Sequence, residues 1–404
     1  MKMTKRILTA LMALIVATVF SLSALAETAE ANGNPPESMP GEPPEGGMPG
    51  NPPDGMPGEP PEGGMPGGPG GGPAGAPGGF GDSGASDFEY AGATEITASA
   101  DETDGTYASA TADESALIVN TAEDVTLENP TVTKTGDSNG GDSCNFYGLN
   151  AALLAMGGGT VTITGGTITS DADGANGVFC YGGNGAQNGG AGDGTTVYIS
   201  DTTIATTGDG SGGIMTTGGG VTYATNLTVE TNGRSSAAIR TDRGGGTVVV
   251  DGGSLTSLSG HMFHVTNTHA VITLTGVQLV NEDADGVLLS VCDDGWSGAD
   301  NIAELNASGQ VLTGTILVGD NSTLTLNLTE GSSFEGSIGG EIVNAKGETV
   351  SAEVGKVTVT LDDTSTWTLT ADTSISAFDG DAANVHANGF TLYVNGAALE
   401  GVSE

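Results

Sequence analysis

Residues 212–255 read GGIMTTGGGVTYATNLTVETNGRSSAAIRTDRGGGTVVVDGGSL, and one pattern is stated twice within them. The apolar anchor Ile214 is followed by the alternating string Val221-Thr222-Tyr223 and then by Val229. Twenty-five residues after Ile214 the pattern restarts at Ile239, with Val248-Val249-Val250 and Leu255 behind it. Each string alternates one residue in and one out, the period of a half-buried strand. Glycine and asparagine separate the strings, as sharp corners require.

The frame extends in both directions. First anchors fall at Leu153, Phe179, Ile214, Ile239, Phe263 and Leu288, separated by 26, 35, 25, 24 and 25 residues. The long interval has a visible cause, the loop insertion GGNGAQNGGAGDG at 182–194. Further strings are Val161-Thr162-Ile163, Val197-Tyr198-Ile199 and Ile272-Thr273-Leu274, and third anchors are Ile168, Ile204 and Leu279. A repeat of this length cannot bury its own inward side chains, so the coils must stack into a solenoid with a thin continuous core. Phe179 is expected on Leu153, and Ile214 on Phe179. A β-sandwich of hairpins would not hold so constant a frame.

Beyond the regular coils, expected over 118–291, looser ones run through 292–404. Leu324, Leu326 and Leu328 alternate, as do Val357, Val359 and Leu361, and Phe334 aligns with Trp367. The segment Phe390 to Val394 is expected to be the last strand, capping the end. The fold class is therefore all-β, a parallel β-helix of about 25 residues per coil spanning 89–404.

The N-terminal part is different. Residues 1–26 carry Lys2, Lys5 and Arg6, then an apolar run, then Ala24-Leu25-Ala26, the pattern of a cleaved secretory signal. Within the linker 27–88, a 17-residue Pro/Gly/Met unit occurs twice between Asn34 and Gly67, and such a chain has almost nothing to bury. An exported chain, secreted or held at the cell surface, with no membrane insertion after signal removal, is expected. The whole chain has 50 acids, 9 Lys and Arg, and a charge of −41. Without 1–26, six cations face the same 50 acids, so the charge is −44. Phosphate repels such a surface, which excludes nucleic-acid binding. Cys144, Cys180 and Cys292 are too few for a disulfide framework and are read as buried thiols, their pairing left open.

The segments 150–183, 212–220, 233–253, 322–338, 365–375 and 388–396 resemble secreted bacterial right-handed parallel β-helix proteins of the pectate-lyase-like superfamily. The group most resembled is carbohydrate-binding or adhesin-like. The resemblance implies export and a glycan partner, and it raises polysaccharide cleavage as a possibility to test against residues. Polygalacturonases of that superfamily carry four ordered motifs, of which only Asp293-Asp294 and Gly260-His261 have counterparts, the latter followed by Met262. Lyases of the fold use Ca²⁺ and a basic side chain.

Three groups of residues stand out as candidates. Arg234, Arg240 and Arg243 are half of the cations outside 1–26, and bidentate guanidinium pairing suits a uronate. Arg240, next to inward Ile239, is expected to face outward with Leu154, Cys180, Met215, His264 and Leu289 as column neighbours. Oxygen-rich turns at Asp171, Asp173, Asp283, Asp285, Asp293 and Asp294 could supply calcium ligands. Tyr181, Tyr198 and Trp296 are expected to be exposed for stacking on sugar rings, Tyr198 above all because it sits between inward Val197 and Ile199. His261, His264 and His269 lack the spacing of a zinc site and are read as turn or surface residues. The outward threonines Thr162, Thr222 and Thr273 hint at an ice-binding column, which Tyr198 and Val249 interrupt.

The function expected from these readings is a non-catalytic carbohydrate-binding or adhesin β-helix. A calcium-dependent polysaccharide lyase and a structural surface spacer are the alternatives.

Overall fold

The computed structural model describes residues 89–138, 143–183, 191–266, 268–293, 301–344 and 347–404. The expected signal segment 1–26 and linker 27–88 lie outside the described residues, as do Asp294 and Trp296.

Two long sheets run the length of the stack. One has twelve strands, from Glu95–Ile96 through Leu153–Met156, Ile214–Thr217 and Val287–Cys292 to Val385–His386. The other has sixteen, with a main path from Ala100–Thr103 through Thr160–Thr164, Gly220–Asn232 and Asn301–Ser308 to Ala377–Asp379. The sixteen-stranded sheet also carries a lateral row: Thr106–Ser109, Thr131–Lys134, Thr167–Ser170, Thr203–Thr206, the later parts of Gly220–Asn232 and Gly246–Ser259, and Gln278–Asn281. Strands of these two sheets pair in parallel with the equivalent strand one coil away, which is the arrangement of a parallel β-helix. Antiparallel pairing is confined, among the described residues, to Ile342–Val343 with Thr349–Ser351 and Leu392–Val394 with Ala397–Ala398.

The corner between the main path and the lateral row explains how such a sequence closes a coil. Asp104, Asn129, Gly165, Asp201, Asn226, Gly252 and Gly276 occupy it in successive coils, Gly309 and Glu330 follow the equivalent main-path strands of the next two coils, and all nine have φ between 53° and 69°. Glycine takes this left-handed conformation without cost, and Asn and Asp tolerate it better than other side chains. The turn aims the corner N–H at the next coil: Asn129 N–H donates to the Thr164 carbonyl, and Gly165 N–H to that of Ser200. Asn226 Nδ2 adds a bond to Asp201 Oδ1 at 2.6 Å.

The core is one column of aliphatic side chains per inward position. Ile168, Ile204, Val229, Leu255 and Leu279 stack in register as their spacing predicts. Each fully buried Val, Leu or Ile contributes roughly 1.5–3 kcal/mol. Phe334 and Trp367 stack at 5.6 Å, and Trp367 Nε1–H donates to the Gly336 carbonyl at 3.1 Å.

Three register assignments need correction. Val178, not Phe179, sits on Leu153 and under Ile214, so Phe179 points outward. It is nevertheless fully buried, in a second cluster with Ile118, Leu154, Tyr181 and Met215. In the quoted stretch Thr222 and Ala224 face inward, aligned with Val197 and Ile199, so Thr222 leaves the outward column and Tyr223 joins it. In the last regular coil Leu289, not Leu288, pairs with Phe263, beside a register shift between Val287 and Leu289. The closing segment is also not the final strand, since Ala397–Ala398 pairs beyond it.

Candidate functional site

The outer face of the main path carries a strip that the corrected register assembles. In consecutive coils Thr162, Tyr198, Tyr223 and Val249 lie side by side, all pointing away from the core. The Tyr198 and Tyr223 rings are stacked, with centroids 5.0 Å apart and planes 13° from parallel. They are 46% and 40% exposed, two of the few large apolar side chains so open among the described residues. Adjacent parallel strands lie about 4.8 Å apart, so outward residues at one register position meet without strain.

The flanks of the strip matter as much. On the same four strands the outward neighbours are Thr160, Thr164, Thr196, Ser200, Val221, Thr225, Thr247 and Asp251. On the main-path part of these strands only Asp251, at one corner, carries a charge, and Glu128 stands beside Thr164 on the strand before them. In a chain with 50 acids this is a cleared field, flat and rich in hydroxyls around an aromatic centre. Further along the same column Asn327 Nδ2 donates to Asn306 Oδ1 at 2.8 Å, so the outward row becomes an amide ladder.

The arginines are elsewhere. Arg240 shares a column with Leu154, Phe179, Met215, His264 and Ser290, on the outer face of the twelve-stranded sheet, so Cys180 and Leu289 are not its neighbours. The expectation of an exposed clamp is corrected: Arg240 is only 8% exposed, and its Nη2 pairs with buried Asp242 at 2.9 Å. A buried guanidinium facing a buried carboxylate is a structural pair first, because separating them would strand a charge. Arg243 donates to the Tyr147 hydroxyl at 2.5 Å and lies 5.1 Å from the Phe146 ring centre, a cation–π contact. Arg234 is exposed but engaged, its Nε and Nη2 reaching Asp209 Oδ2 at 2.9 and 2.7 Å. That pairing holds the Asp209 carboxyl below its ordinary range.

The expectation for Tyr181 is likewise corrected, since it is buried with its ring edge against Tyr147 at 5.9 Å. Its cover includes the short helix Ser143–Phe146, whose Phe146 carbonyl accepts the Thr217 hydroxyl at 3.0 Å. Burial raises the Tyr181 and Tyr90 hydroxyls well above the usual phenol range. His261 and His264 approach through their Nδ1 atoms at 3.3 Å, and His264 is buried, not at the surface.

The aspartates mostly hold turns. Asp173 accepts the Asp209 N–H at 2.8 Å and donates its own N–H to Asp137 Oδ1 at 2.9 Å. Asp171 accepts the Thr207 hydroxyl at 2.5 Å, and Asp283 accepts the N–H groups of Gly260 and Asp285. Asp285 is exposed and Asp293 half-buried. Among the described residues no three His, Cys, Asp or Glu side chains converge on a point where a metal ion could sit. The three cysteines are buried and none is in a disulfide; burial pushes the Cys180 thiol up to about 12.

Tyr223 is the site residue that sequence reading missed, although a signal existed. Each outward strip residue stands six positions before its third anchor: Thr162 before Ile168, Tyr198 before Ile204, Tyr223 before Val229 and Val249 before Leu255.

Fold and site together define a class: an all-β solenoid of stacked parallel sheets bearing an uncharged aromatic strip on a flat outer face. No family model, curated protein or solved structure matches the chain.

Proposed function

We propose that this chain is an exported, non-catalytic, right-handed β-helix of the pectate-lyase-like kind that binds carbohydrate at the cell surface, with Tyr198 and Tyr223 as its platform. The observation carrying this reading is the stacked tyrosine pair in a field of threonine and serine. Aromatic rings pack on the C–H faces of sugars while hydroxyl and amide groups serve their hydroxyls. The coil repeat lets an extended polymer running along the stack meet equivalent positions in succession. The cleared charge favours a neutral glycan over a uronate. Binding is preferred to cleavage because Arg234, Arg240 and Arg243 are all engaged by protein groups.

The test is affinity electrophoresis of the purified protein through neutral and uronic polysaccharides, with and without calcium. Retardation by a neutral glycan is expected, weakened at least about tenfold by Tyr198→Ala with Tyr223→Ala, a loss near 1.4 kcal/mol. Unchanged retardation in the double variant would remove the platform. Release of unsaturated uronate would replace binding with lyase chemistry, and silence on every glycan would favour the spacer.

A further inference from the structure

The lateral row of the solenoid stops at Gln278–Asn281, and beyond that strand lies a groove. The strand pairs on one side with Gly246–Ser259 and has no other strand partner among the described residues. In the next coil the chain cuts the corner: Asn301–Ser308 turns at Gly309 directly into Val311–Val318, without a lateral strand. The step leaves a groove of about 640 Å³ between the strand edge and the short-cut. Its walls include Val277, Leu279, Leu288 and Val311, with Gly276, Gly286, Gly309 and Gly314 leaving it open. Val311 is 65% exposed, the most open of the large apolar side chains among the described residues.

The hydrogen-bonding state of the edge indicates what fits there. In a parallel strand the N–H and C=O of one residue point to the same neighbour, and alternate residues point to opposite neighbours. Glu282 N–H reaches back to the Ser257 carbonyl, so Gln278 and Val280 also face back. Val277, Leu279 and Asn281 therefore face forward, into the groove. At Val277 the forward slot is filled by a side-chain amide: Gln310 Oε1 accepts the Val277 N–H at 2.8 Å, and Gln310 Nε2 donates to the Val277 carbonyl at 2.7 Å. Gln310 is buried and imitates one peptide unit of the missing strand. The next two slots, at Leu279 and Asn281, ask for the same chemistry.

We infer that this groove receives an extended, cationic polypeptide segment as an added parallel strand, hydrogen-bonded to Leu279 and Asn281 and covering Val311. The positive charge is argued from the rim. Glu282, Asp283 and Asp285 stand at one end, Glu330 follows Gly309 by one coil, and Glu335 pairs beside Thr313. A second copy of this chain is disfavoured by the same acids and by its charge of −44 outside 1–26.

The probe is a fluorescein-labelled peptide of alternating lysine and valine, titrated into the full protein, with a glutamate–valine peptide as control. Saturable binding of the lysine peptide alone is expected, weakening as salt rises. On binding, the Leu279 and Asn281 amides should become protected from hydrogen exchange by at least tenfold. Val311→Lys, at a position exposed enough to leave the fold intact, should weaken binding at least tenfold. The inference is overturned by equal binding of the two peptides, by binding without protection at Leu279 and Asn281, or by an indifferent Val311→Lys variant. Failure to bind the lysine peptide also overturns it. None of these outcomes bears on the tyrosine strip, which lies on other coils.

Discussion

Arg240 decides between a ligand-binding and a structural reading of the arginine cluster, so its substitution is the most informative perturbation. In Arg240→Met the methionine keeps the stem packed between Met215 and His264. Asp242, fully buried, loses the guanidinium at 2.9 Å and retains the Arg243 N–H at 2.8 Å. Removing one member of a buried pair costs about 3–5 kcal/mol, and the surviving N–H bond places this case near the lower end. A solenoid unfolds by neighbouring coils, so the loss should be local. About 3 kcal/mol corresponds to roughly a hundredfold faster exchange by sub-global opening in Ile214–Thr217, Ile239–Thr241 and Phe263–Thr266. Adding Asp242→Asn removes the stranded charge while leaving an acceptor for Arg243, and the double variant should recover more than half of the loss. Hydrogen exchange read by mass spectrometry on both variants is the assay. If Arg240→Met left exchange in those strands within about threefold of the parent while abolishing glycan retardation, the structural assignment would be wrong.

Three further outcomes are expected. Lys134 is fully buried, its Nζ donating to the carbonyls of Thr111 and Gly136, and burial lowers its pKa. The unfolded chain then holds a proton the folded chain has released, so stability measured against Lys134→Met should rise with pH toward about 10.4; a flat difference would refute it. A Cβ on Gly336 would lie 2.0 Å from the Gly314 carbonyl oxygen and 2.3 Å from the Phe334 ring. Gly336→Ala should therefore cost about 1–3 kcal/mol or more and dull the near-ultraviolet dichroism of Trp367, and an unchanged spectrum and denaturation midpoint would count against the packing described. With all three cysteines buried and the Cys180 thiol pushed up to about 12, a thiol reagent should titrate none in the native protein and three in denaturant. Rapid native labelling of Cys180 would contradict its placement.

The frame of the solenoid is legible in the sequence because most of its third anchors are set off by their neighbours: Ile168, Val229 and Leu255 stand between polar residues, and Ile204 and Leu279 each follow one. Register is harder where two apolar residues adjoin. Val178 and Phe179 both satisfy an inward position, and alternation cannot separate them; the small residue before the anchors Leu153, Val178, Ile214 and Ile239 (Ala152, Gly177, Gly213, Ala238) does, while Phe263 and Leu289 lack that mark. Phe179 is apolar and outward because the segment around Ser143–Phe146 returns across the sheet and covers it, a long-range contact with no local signature. The same cover buries Tyr181 and engages Arg243. In the quoted stretch Val221 misled for the opposite reason: it is a β-former on the outer face, while Thr222 takes the inward place and bonds Thr216 at 2.8 Å.

How a chain this acidic stacks at all depends on where the acids are put. Asp137, Asp173 and Asp209 climb one corner, and each carboxylate accepts the backbone N–H of the residue one coil further on, ending at Arg234. Two carboxylates about 5 Å apart in water repel by roughly 1 kcal/mol. A hydrogen bond to a charged acceptor contributes about 1.5–3 kcal/mol, so the bond wins at every step and the ladder is net favourable. The last aspartate has no further aspartate to feed, and the Arg234 guanidinium closes the series with a charge of opposite sign. Acids held in this way can be dense at corners without weakening the stack. The flat outer strands are then free to be uncharged, which is the condition that makes Tyr198 and Tyr223 a platform instead of two solvated side chains in an anionic field.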